Sequence, residues 1–270
     1  RSDSAGTEVS GIPTVNSDDI TFTWQTTKRV SGLTNRGKTY DAHYNPGLGY
    51  SAVGFEGDGV EGHEISHYLG KEPELVMWKN RDITSDWYVQ SPLFAEESFL
   101  ELNSTDNLSS GSSTRVLFSE ATISVGTSAN VNGSTQNIIQ YAFTSIPGVS
   151  KIGTYNGTSS AGNYIDCGFK VAWLLVKNLS AAGNWVIYDG SRSDSVYIAA
   201  NLSNPLTAWG TSSIEFVDDG FVLKTASTNS NNLNDQYIFR AYAEGTAFDG
   251  TKTLTNYPRS TNGNEVTVTD

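Results

Sequence analysis

Apolar residues along this chain come in short bursts, and two of the bursts are unbroken. Leu75-Val76-Met77-Trp78 and Trp173-Leu174-Leu175-Val176 each end in Lys-Asn. Consecutive apolar positions of that length suit a central strand covered on both faces. Trp87-Tyr88-Val89 and Trp185-Val186-Ile187-Tyr188 follow loops containing Ser85-Asp86 and Gly183-Asn184, as the second arm of a hairpin would. Around Ile138–Phe143 and Tyr237–Tyr242, aromatic residues alternate with small or polar ones, a strand pattern. Nowhere does a clean helical apolar period develop, so long amphipathic helices are not expected.

These bursts recur in order. Lys79 and Lys177 close matching segments, and 177 − 79 gives an offset of 98 residues. The same offset lays Trp87 on Trp185, Phe99–Ser104 on Tyr197–Leu202, and Ile123–Thr127 on Phe221–Thr225. One residue of slippage aligns Asn137–Phe143 with Gln236–Tyr242 and Tyr50–Gly54 with Val149–Gly153. Such ordered self-similarity marks an internal duplication. Each copy reads as about seven short strands separated by Gly, Asn, Ser and Asp clusters. The expected fold is all-β: two tandem antiparallel β-sandwiches, lectin- or jelly-roll-like, over residues 48–148 and 149–246. Residues 1–47 read as an extended N-terminal segment with one or two strands, including Asp19–Trp24, and 247–270 as a C-terminal extension ending in Glu265-Val266-Thr267-Val268-Thr269. Strands without a visible partner at both ends predict pairing with a neighbouring subunit or with further sequence.

Composition narrows the function. The 270 residues carry a formal charge of -12, with 17 basic against 29 acidic residues. Such a chain repels nucleic acid and anionic lipid, and no basic stripe offsets this. No apolar run approaches the length of a transmembrane helix, so membrane insertion is not expected. A single cysteine, Cys167, has no intrachain disulfide partner; it reads as a small buried hydrophobe rather than a nucleophile.

Several residue groups invite a chemical reading. His63-Glu64-Ile65-Ser66-His67 matches the zinc-peptidase pattern, which places two His on one face of a helix. Here glycines bracket it closely and Ile65 and Tyr68 favour a strand, which would hold the imidazoles about 13 Å apart. The matching stretch of the second copy, Asn163–Gly168, has no histidine pair. No metal, cofactor or catalytic residue is therefore assigned. Glu72/Glu74 and Glu96/Glu97 are carboxylate pairs of the kind glycosidases use, but acidic residues are numerous and such pairs are ordinary in solvated loops. Asp58-Gly59 and Asn231–Asp235 offer oxygen ligands without a calcium-loop spacing and read as polar turns. For ligand binding, Trp209 stands out, because Gly111 occupies the matching place in the first copy. Tyr40 and Tyr44, beside His43 and Asn45, form a second aromatic and polar cluster suited to stacking on a sugar. The tryptophans Trp78, Trp87, Trp173 and Trp185 are placed in strands of the core.

The order Val53-Gly54-Phe55-Glu56-Gly57-Asp58-Gly59, His63–Gly70, Pro73–Lys79, then Phe99–Thr105, Ile146–Tyr155 and Ile165–Phe169 resembles a repeated domain of marine bacteriophage structural proteins. The resemblance covers residues 24–245 and implies a tail fibre or other virion appendage, located on the particle surface. It implies a lectin-like sandwich with no established activity, and the chain is read as a non-enzymatic protein. The expected partners are other virion proteins or copies of the same chain, with a host-surface glycan as a further ligand. The rival readings are a lectin-like glycan-binding module and a glycan-degrading hydrolase.

Overall fold

In a computed structural model, the protein is described over residues 21–22, 28–35, 38–192, 196–205, 207–208, 213–244 and 265–266. It is an all-β structure of stacked, mostly antiparallel sheets; among the described residues the helical parts are one α-helical turn, α1 (Ala129–Asn132), and two 3-10 turns, Pro46–Leu48 and Ser112–Thr114. After β1 (Thr21–Phe22), the hairpin β2 (Lys28–Asn35) and β3 (Lys38–Asn45) leads into the first repeat. That repeat comprises β4 (Tyr50–Glu56), β5 (His63–Ser66), β6 (Leu75–Asn80), β7 (Tyr88–Gln90), β8 (Ser98–Glu101), β9 (Ser109–Ser110), β10 (Val116–Phe118), β11 (Thr122–Val125) and β12 (Asn137–Phe143). The second comprises β13 (Ser150–Asn156), β14 (Asn163–Asp166), β15 (Val171–Asn178), β16 (Val186–Asp189), β17 (Val196–Ala199), β18 (Thr207–Ala208), β19 (Ile214–Val217), β20 (Gly220–Leu223) and β21 (Gln236–Ala243). Among the described residues each half thus holds nine strands where the sequence pattern predicts about seven; the shortest, β9 and β18, have two residues each, too few for a pattern to show.

The two halves repeat one strand order. The first large sheet runs β2-β3-β4-β12-β6-β7-β8-β9 and the second β13-β21-β15-β16-β17-β18, with small sheets β10-β11-β5 and β14-β20-β19. The last strand of each half lies inside its sheet, between the first and third strands of that half. The β2–β3 hairpin, which has no counterpart among the described residues of the second half, joins the first large sheet beside β4. Towards the two ends of the chain, β1 pairs in parallel with β22 (Glu265–Val266). None of the described helices is long and apolar enough to cross a membrane.

The unbroken apolar runs are explained by three cores between four layers. Val76 and Trp78 point into the first sandwich with Val53, Ile123 and Ile138. Leu174 and Val176 point into the second with Phe221, Tyr237 and Phe239. The alternate residues Leu75 and Leu175 meet between the two large sheets, with Val89, Leu100, Ile152, Trp185 and Ile238. The sandwiches are therefore packed back to back. Hydrogen bonds cross the same seam: Trp185 Nε1 donates to Glu101 O at 2.9 Å, and Lys177 Nζ donates to Thr105 O at 2.9 Å. Trp78 and Trp185 are fully buried, whereas Trp87 and Trp173 are only half-buried, and Trp87 and Trp185 stand just before their strands rather than in them.

Equivalent polar residues hold equivalent turns. Trp87 N donates to Asn103 Oδ1 and Trp185 N to Asn201 Oδ1, each at 3.0 Å. Asn132 Nδ2, with two N–H donors, lies within 3.0 Å of Asp58 Oδ1, Val60 O and Gly126 O, and Asn231 Nδ2 donates to Ser160 O and Thr225 O. Buried amides saturated in this way fix loop conformation, because leaving any of these groups unpaired is costly.

Candidate binding trough on the first large sheet

One stretch of the first large sheet is left uncovered by the back-to-back packing. Its outer face over β3, β4 and β12 forms a trough of about 660 Å³. The register explains its shape. On β4, Ala52 and Gly54 make a low floor, and a methyl group built at Gly54 meets nothing within 4 Å. Asp41 and His43 on β3 stand opposite Gly54 and Ala52, and Ile139 and Tyr141 on β12 stand opposite the same two from the other side. Residues alternating on a strand share a face, so these small and large positions form a channel along β4. Glu56, Arg81 and Asn137 line one end and Tyr50 the other.

The walls are ordered from behind. Trp87 stacks on Tyr141 with ring centroids 6.2 Å apart. Tyr50 leans on Phe143, and burial raises its phenol pKa. The guanidinium of Arg240, from the second half, lies over the Phe143 ring at 3.5 Å and donates to the Tyr242 hydroxyl. Burial pulls the Arg240 pKa down to about 10, so the cation is held largely by ring faces. In the second half the matching surface is not available: Ile152 and Ile238 lie in the seam between the large sheets.

The tyrosine cluster expected from the sequence is divided by strand alternation. Tyr44 stacks on Tyr68 at 4.7 Å, the Tyr40 hydroxyl lies 3.1 Å from that of Tyr68, and both Tyr40 and Tyr44 pack against the first core. Tyr40 also reaches the trough rim, but it is the intervening Asp41 and His43 that face the channel, while Asn45 turns inward and accepts from Leu48 N. Trp209 lies outside the described residues. Sequence reasoning missed Tyr141 and Trp87 as a surface pair. The signal was Ala52 and Gly54 at alternate positions of one strand, two small residues on the same face.

The His-Glu-x-x-His segment is a strand and its exit. His63 and His67 are both buried. His63 Nδ1 lies 3.1 Å from Asn132 Oδ1 and 3.5 Å from Asp58. His67 accepts from Leu69 N at Nδ1 and donates from Nε2 to Ser119 O, and burial lowers its pKa. Among the described residues, no group of three His, Cys, Asp or Glu side chains is placed to hold a metal ion. Glu74 accepts from Ser145 N, which ties it to a turn, and Glu96 pairs with Arg115 at 3.8 Å. Cys167 is buried in the second core, where burial pushes its thiol up to about 11, well away from thiolate reactivity.

The chain belongs to a family described only as a domain of unknown function (DUF7483), whose model matches residues 3–246. No curated protein and no solved structure matches it.

Proposed function

We propose that this protein is a structural module of a bacteriophage virion, part of a tail fibre or surface appendage, and not an enzyme. The observation that supports this reading is the interlocked four-layer stack, whose seam is sealed by apolar side chains and by the Trp185 and Lys177 bonds. The order of motifs shared with phage appendage domains points the same way. Rigidity of this kind suits a part that works by shape and contact, among virion proteins or copies of itself. Mass spectrometry of purified particles from a phage encoding the chain tests the assignment. Recovery in stoichiometric amounts supports it, and absence from particles that carry the other structural proteins overturns it.

The trough favours a second reading, glycan binding at the host surface. Aromatic faces at Tyr50 and Tyr141 with planar polar groups at Asp41, Asn137 and Arg81 are the means by which proteins hold sugar rings. A glycan array comparing the protein with Tyr141→Ala tests it. Loss of a saturable signal in the variant supports trough binding, and an unchanged profile refutes it.

A further inference from the structure

The mouths of the two sandwiches hold a matched pair of pockets. In the first half, Glu72, Gln90, Glu96, Glu97, Val116 and Phe118 line a cavity of about 230 Å³. In the second, Lys170, Tyr188, Ile214 and Phe216 line one of about 440 Å³. Offsets of 98 residues carry Glu72 to Lys170 (170 − 72), Gln90 to Tyr188 (188 − 90), Val116 to Ile214 (214 − 116) and Phe118 to Phe216 (216 − 118). The apolar walls are kept and the charge is not.

The second pocket carries its own cations. Lys170 Nζ lies 2.7 Å from Glu244, and Arg192 pairs with Asp189. In the first pocket, Glu72 replaces the lysine, and Phe94 stands at the place of Arg192 (192 − 94 = 98). Among the described residues, its lining carboxylates make one ion pair, Glu96 with Arg115 at 3.8 Å, and Arg115 is shared with Glu61. Behind the carboxylates, the Gln90 side chain is buried. Its Nε2 donates to Thr114 O at 2.7 Å, while its Oε1 takes no hydrogen bond from the protein. The rim is also set in advance. Glu97 holds a left-handed φ of 67°, fixed by bonds from Gly111 N and Thr114 Oγ1 to its carbonyl.

An apolar shaft with carboxylates at its mouth and a spare acceptor in its lining matches a cation on an apolar stem. We infer that the first-half pocket receives the ammonium end of a lysine side chain from a partner protein, whereas the second pocket has cations of its own in its lining, Lys170 and Arg192.

The test is a titration of the full chain, followed by backbone amide NMR shifts, with Nα-acetyl-lysine methylamide, its Nε-acetylated form, and glucosamine. The expected result is saturable binding of the lysine probe at about millimolar level, with shifts confined to residues 90–98 and 114–118 and none at 188–192. Acetylating the probe, or combining Glu72→Gln, Glu96→Gln and Glu97→Gln on these solvent-accessible side chains, weakens binding by about tenfold. No saturation, equal binding of the acetylated probe, or stronger binding of glucosamine overturns the inference.

Discussion

Lys177 offers the most direct test of how the two halves are joined. Its side chain is fully buried, and its Nζ donates to Gly183 O at 2.7 Å in its own half and to Thr105 O at 2.9 Å in the other. The equivalent Lys79 makes only the local contact, to Ser85. Burial lowers the Lys177 pKa from 10.5 to about 8, with Asp106 opposing the shift. Because the folded value lies below the unfolded one, the unfolded chain binds more protons between about pH 8 and 10.5, and stability rises with pH across that window. Below about pH 8 both states are protonated and the penalty is constant. Between pH 7 and pH 9.5 the full shift amounts to a gain of about 2 kcal/mol, or about 1 kcal/mol once solvent screening is allowed for. Urea unfolding at pH 7, 8, 9 and 9.5 should show the midpoint climbing in the native protein and staying level in Lys177→Met. A flat native profile, or the same climb in the variant, would refute the assignment. Above about pH 10 the trend should reverse, because buried Tyr155, Tyr188 and Tyr237 have raised pKa values and stay neutral while the unfolded tyrosines ionise.

Three further outcomes follow from the geometry. The lowered pKa of His67 means that the unfolded state takes up its proton first, so stability falls as pH drops below about 6.5. His67→Cys, which copies Cys167 of the second half, should flatten that acid slope in thermal melts at pH 5 and 7. Trp185→Phe removes the donor to Glu101 O and should cost about 1–3 kcal/mol. Fluorescence and circular dichroism should still report one shared transition, and separate transitions for the two halves would argue against a common seam. Gly57→Ala would place a methyl 2.3 Å from Gly133 O and should cost about 1–3 kcal/mol in chemical denaturation. Gly54→Ala, which meets nothing, should be close to neutral.

Much of the fold was legible in the sequence because the two halves repeat their polar fixtures as well as their apolar bursts. The Leu75–Trp78 and Trp173–Val176 runs announced coverage on both faces, and the seam between the large sheets is what covers the second face. The opening strand shows where the pattern fails. Similarity aligned Val53 with Ile152, but the ladders place Gly153 at the Val53 position: each pairs with the equivalent residue of the central strand, Phe239 or Gln140. A methyl at Gly153 would come 2.9 Å from the Phe239 ring, so the phenylalanine fills the space that Val53 fills in the first half. Matching by residue type cannot see such an exchange of volume between neighbouring strands. The trough was hidden for a related reason, since Asp41, His43 and Tyr141 come together only through register. The binding candidates Tyr40 and Tyr44 were sound as an aromatic cluster, but the cluster closes on Tyr68 at the core edge.

The seam itself limits how such a protein can be extended. Corresponding positions from both halves meet there: Leu75 and Trp173, Met77 and Leu175, Val89 and Ile187. Contact between like surfaces saturates at two members, as in any isologous pair. A third copy of the unit would find that face already used. Length in an assembly built from this module must therefore come from sheet edges, loops or the segments outside the two halves, and its thickness is set at four layers by the back-to-back packing.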